Sequence, residues 1–160
     1  MTSDFAGSVA VVSGAGGGLG RSHALQLARR GARVVVNDLS GPTGSEPTDA
    51  VVAQISAAGG SAIAEHADIT DYSQVTATID RTLDTWGRVD ILVTNAGILR
   101  DATFRNSDLD DFRRVMDVHL MRSARCTKAL WDSMIHQRYG RVLMTTSGSG
   151  MYGNFGQGKR

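Results

Sequence analysis

At 160 residues, with 41% hydrophobic and 21% charged residues, the chain is long enough for one domain with a real core and too short for two. A net charge of +1, with acids and bases scattered along the sequence, excludes the basic stripe that nucleic acid requires. The single Cys126 excludes an internal disulfide, residues 1–6 have no leader-like pattern, and no apolar run approaches the roughly 18 residues of a membrane span. A soluble, cytoplasmic protein without nucleic-acid or membrane partners is the expectation.

Residues 8–13 form a β-branched apolar run that ends in glycines, and from Leu19 to Arg30 the residues Leu19, Leu25, Leu27 and Ala28 recur at helical spacing. Gly31 ends that helix, and residues 33–38 make a near-continuous apolar run of the kind covered on both faces of a sheet. Residues 40–47 hold both prolines and read as a loop, after which Thr48 or Asp49 caps a helix through about Ala58. The pattern then repeats. Residues 61–66 predict a third strand, 71–86 a helix capped by Asp71, and 89–94 a fourth strand ending in Asn95-Ala96-Gly97. One long helix over about 108–137 and a fifth strand over 140–147 complete the chain, with Cys126 in the helix as a buried, idle thiol. Alternating strands and helices predict an α/β, Rossmann-type, doubly wound parallel sheet with right-handed crossovers and strand order 3-2-1-4-5.

Ligands of such sheets lie beyond the carboxyl ends of the strands, beside the first strand where the order reverses. Gly14, Gly18 and Gly20 stand there in the spacing GxxxGxG. Such a turn brings backbone close to a pyrophosphate and aims free N–H groups at the anion, although a plain glycine loop has the same composition. Asp38 ends the second strand 24 positions after Gly14, where a carboxylate accepts hydrogen bonds from an adenosine ribose and repels a 2′-phosphate. NAD is therefore expected over NADP, with an ordinary turn aspartate as the bland reading of Asp38. Asp68-Ile69 closes the third strand, where Asp68 either meets an adenine edge or is a solvated loop acid. Arg100 either meets an anionic substrate group or is a surface arginine.

Taken together, Ser13-Gly14-Ala15-Gly16-Gly17-Gly18-Leu19-Gly20, Asn95-Ala96-Gly97 and Ser147 resemble the short-chain dehydrogenase/reductase family over nearly the whole chain. Within it, the stretches 36–39, 95–101, 118–120 and 152–157 look most like the dehydrogenase domains of peroxisomal multifunctional β-oxidation enzymes and their bacterial relatives, which act with NAD on 3-hydroxyacyl-CoA or steroid-type alcohols. The resemblance implies that Gly14, Gly18 and Gly20 shape the phosphate turn, with Leu19 lending backbone. It implies that Asp38, with the adjoining Leu39, holds the ribose, that Asp68 and Ile69 bracket the adenine, and that Asn95, Ala96 and Gly97 steady the fourth strand. Ser147 matches the catalytic serine that holds the substrate oxygen of a secondary alcohol or ketone. His119 stands where most of the family has a proton-relay asparagine, and is either a relay member or a structural histidine. A homo-oligomer paired through the long helix is implied for the full family form.

The family also uses a tyrosine about 13 positions after the serine and a lysine four further on, which lowers the tyrosine's pKa. Arg160 stands at the first of these positions, and the second lies past the last residue. Tyr152 is only five positions after Ser147, and Phe155 with Lys159 copies the tyrosine–lysine spacing without a hydroxyl. The final Gly158-Lys159-Arg160 departs from the resemblance, as a cut or frameshifted end would. The expectation is an incomplete NAD-binding domain over residues 1–160, lacking the C-terminal part of the family fold and inactive by itself. A non-catalytic dinucleotide-binding or interaction module is the alternative. Apolar surface on the fifth strand and along Met116, Leu120, Leu130 and Met134 is then expected to stand uncovered and drive association.

Overall fold

The computed structural model describes residues 4–39 and 47–156. Strands β1 (Val9–Ser13), β2 (Arg33–Asn37), β3 (Ala62–Glu65), β4 (Ile91–Thr94) and β5 (Arg141–Met144) form one parallel sheet in the order β3-β2-β1-β4-β5. Helices α1 (Gly18–Arg29), α2 (Pro47–Ala57), α3 (Tyr72–Trp86), α4 (Leu109–Met116) and α5 (Arg122–Gln137) provide the crossovers, and a short α6 (Gly148–Tyr152) follows β5. The predicted topology and strand order are those observed. No helix among the described residues is long and apolar enough to cross a membrane.

The apolar runs of β1 and β2 are explained by two cores, because successive strand residues point to opposite faces. Ala10, Val12, Val34 and Val36 pack with Ala24, Val51 and Ile55 on one face. Val9, Val11 and Val35 pack with Val75, Ile79, Cys126 and Leu130 on the other. Asp90, fully buried below the sheet, is held by Arg88 through two oxygens and by the Val9 N–H at 2.9 Å, so its charge is paired where it is desolvated.

Four expectations are corrected. Thr48 and Asp49, expected as alternative caps, both lie inside a helix that starts at Pro47, whose missing N–H costs nothing in a first turn; the rest of the expected loop, 40–46, lies outside the described residues. The single helix over 108–137 is two α-helices joined by a π turn, Asp117–Met121, which a spacing argument does not register. Strand β5 stops at Met144, so Ser147 is not a strand residue but the N-cap of α6, its Oγ accepting from the Ser149 N–H at 3.2 Å. Finally, Leu130 is fully buried and Met134 packs against the second core, so only Met116 and Leu120 of the four named helix residues are exposed.

Candidate functional site

Strand β1 pairs with β2 on one side and β4 on the other, so the strand order reverses at its carboxyl end. There the chain turns sharply through Gly14 at φ +64° and Gly18 at φ +51° into α1. A Cβ on Gly14 would sit 2.5 Å from Ala96 Cα, and one on Gly20 would run into the Gly14 carbonyl oxygen, so the turn, α1 and the end of β4 are packed backbone to backbone. Gly17 and Gly18 face open space. Helix α1 has no side-chain cap on its first N–H groups and no acidic residue in its first turn. Its positive end is therefore turned, unneutralised, toward the groove.

Asn95 ties the two central strands together. Its Nδ2 donates to the Gly14 carbonyl at 3.3 Å, its N–H donates to Ser13 Oγ at 3.2 Å, and its Oδ1 accepts from Thr145 Oγ1 at 3.4 Å. Ala96 and Gly97 continue along the groove floor, and the Ala96 carbonyl accepts from Arg122, a guanidinium 1% exposed and lowered in pKa by its burial. Gly97 leaves room for the His119 ring, since a Cβ there would lie 2.7 Å from its Cε1. His119 Nε2 is 2.9 Å from the Ile98 carbonyl oxygen and 3.3 Å from its N–H, so the ring, carried on the π turn, is held by the Ile98 backbone.

Asp38 follows β2, and its two carboxylate oxygens accept from the Gly16 N–H at 3.0 Å and the Leu39 N–H at 2.9 Å. The acid is thus fastened to the glycine turn. Asp68 accepts from the Thr70 N–H at 2.8 Å and Thr70 Oγ1 at 2.7 Å, closing a turn with one oxygen. Arg100 is a surface arginine, 3.4 Å from Asp111.

Two adjoining cavities unite these residues, with Gly14, Asp38, Ala96, Gly97 and Ile98 common to both. The larger, about 660 Å³, reaches from Gly18 and Leu19 across Asn95 and His119 to Thr145, Thr146 and Ser147. The smaller, about 250 Å³, runs between Asp38-Leu39, Asp68-Ile69 and the start of the π turn. Of the sequence-predicted residues Gly20, buried behind the turn, and Arg100 line neither cavity. Thr145, Thr146 and Arg114 line the groove without having been singled out. The two threonines could have been found from their place just after the fifth apolar run, whereas nothing in its spacing marks Arg114. The groove fits a dinucleotide: an open, uncapped helix start lies between a carboxylate on one side and a hydroxyl on the other.

Comparison with known proteins agrees with this geometry. The mouse (Mus musculus) "Peroxisomal multifunctional enzyme type 2" is 49% identical over 158 residues, covering 96% of this chain and 21% of that protein. A solved short chain dehydrogenase from Mycobacterium avium superposes with a TM-score of 0.89 at 38% identity, covering 96% of this chain and 58% of that one. The NAD+-bound xylitol dehydrogenase gives a TM-score of 0.91 at 30% identity, covering 98% and 59%. The chain thus spans about a fifth of the mouse relative and somewhat over half of each solved chain. The short chain dehydrogenase family matches residues 8–159, and the chain belongs to that family.

Proposed function

We propose that residues 1–160 form one dinucleotide-binding unit that takes NAD(H) in the groove. By descent it is part of an oxidoreductase that interconverts a secondary alcohol and a ketone, of the 3-hydroxyacyl-CoA or steroid-like class. The carrying observation is the uncapped start of α1 beside Asp38, an anion site next to a carboxylate. The NAD+-bound xylitol dehydrogenase supports the cofactor, and the resemblance of the site stretches to the dehydrogenase domains of multifunctional β-oxidation enzymes supports the substrate class.

In this reading the first N–H groups of α1, with Gly14, Gly18 and the Leu19 backbone, hold the pyrophosphate. Asp38 accepts from the ribose hydroxyls beside Leu39, while Asp68 and Ile69 bracket the adenine. Asn95, through its bonds to Ser13, Gly14 and Thr145, and Ala96, through its bond from Arg122, keep the groove floor with Gly97 at fixed height. Ser147 holds the substrate oxygen by its hydroxyl, and His119 orients the Gly97–Ile98 backbone. Bound NAD supplies the hydride acceptor or donor. A second reading, dinucleotide binding without turnover by these 160 residues, is favoured by the arginine at position 160, 13 positions after Ser147, where the family's acid/base tyrosine is expected.

Calorimetric titration of the chain with NAD and NADP is the test. NAD should bind, NADP at least about tenfold more weakly because like charges meet at Asp38, and D38N should narrow that gap. Equal affinity for both, or none for NAD, overturns the reading. A homo-oligomer is proposed for the full family form. The cytoplasmic expectation competes with a peroxisomal one, which the mouse relative's name favours, and organelle fractionation decides between them.

A further inference from the structure

The smaller cavity has two unlike walls. Asp38, Asp68 and Ile69 form the side at the ends of β2 and β3, and Arg114, Asp117 and Val118 close it from α4 and the π turn. The arginines around Arg114 are engaged with carboxylates: Arg113 with Asp110 at 2.9 Å, Arg100 with Asp111 at 3.4 Å and Arg125 with Asp117 at 3.1 Å. Arg114 has no ion pair or hydrogen bond from its side chain to any described residue. Asp117, three residues on and on the same helical face, would be its natural partner, but Arg125 holds it. Arg114 therefore lines the cavity while the plane and donors of its guanidinium are committed to no described residue.

The charges around it decide what it meets. An anion drawn to Arg114 would also face Asp38, Asp68 and Asp117, three carboxylates lining the same 250 Å³ space. A flat, neutral, electron-rich ring meets no such repulsion, and guanidinium planes stack on nucleobases. We propose that Arg114 recognises the adenine of the dinucleotide by stacking its guanidinium on the base, with Ile69 across the cavity. The inference rests on the NAD reading above and adds to it a residue that selects the base end of the cofactor.

The test is equilibrium binding of ADP-ribose to the 160-residue chain and to R114A and R114K, with thermal midpoints measured alongside. Arg114 is exposed and makes no bond within the fold, so both variants should keep the parent's midpoint. Stacking predicts that ADP-ribose binds about fivefold to thirtyfold more weakly to both variants, because lysine keeps the charge but not the plane. Parent-like affinity in R114K would mean that charge alone matters, and parent-like affinity in R114A that Arg114 touches nothing; either overturns the inference while leaving NAD binding in place. Failure of the parent chain to bind ADP-ribose overturns both.

Discussion

At Gly20 a single methyl group has nowhere to go: it would overlap the Gly14 carbonyl oxygen and lie 2.7 Å from Asn95 Nδ2. G20A should therefore push α1 away from the turn. Overpacking of this kind costs about 1–3 kcal/mol, which lowers the melting temperature by several degrees in a chain of this size. NAD affinity should fall at least about tenfold with it, and a variant with unchanged melting and binding would show that the turn absorbs the methyl. The glycine spacing was legible in the sequence, but the reason for Gly20 was not, because that residue serves contact between α1, β1 and β4 rather than approach to a ligand. Asp38 was likewise legible as an acid at a strand end, while its attachment to the Gly16 N–H needed coordinates. Arg114 was invisible, since its importance lies in a carboxylate it fails to reach.

Helix α5 carries Cys126 into the second core, where burial pushes its thiol up to about 11 from the ordinary 9.0, against a smaller opposing pull from Arg122 and Arg125. Between those values the unfolded chain has lost the thiol proton and the folded chain has kept it, so rising pH favours unfolding. The contribution is intact below about pH 9 and is lost by about pH 11, amounting to roughly 2–3 kcal/mol. Urea denaturation at pH 8 and pH 10.5 should show a drop for the parent that shrinks in C126A; equal drops would place the lost stability elsewhere. The helix itself was read correctly from apolar spacing at Cys126 and Leu130, and its interruption was not. A π turn adds one residue to a turn without disturbing the apolar count, and it coincides with the seating of the His119 ring over Gly97. The elements from β1 to β2 were clearest because β-branched runs and glycines bound them closely. Those after β4 were least clear, as the placement of Ser147 at the N-cap of α6 shows.

For the whole molecule, the two cores cover both faces of β1 and β2 but do not reach β5, whose four residues are all exposed, Leu143 and Met144 by about half. Trp131 and Ile135 add more uncovered apolar surface on α5. Patches of this kind draw proteins together, so the 160-residue chain should self-associate or precipitate as its concentration rises. Sedimentation velocity that returned a single monomeric species at all concentrations would contradict this. The same asymmetry divides the groove. Its Asp38 end is cut into strands clamped between two layers, where opening amides to solvent means breaking into a core, whereas its Ser147 end hangs from a strand with little packed against it and should open at far smaller cost. A nucleotide would thus meet a finished mould at one end and a wall still to be braced at the other, so that recognition of the cofactor's carrier half comes ahead of any ordering of its reactive half.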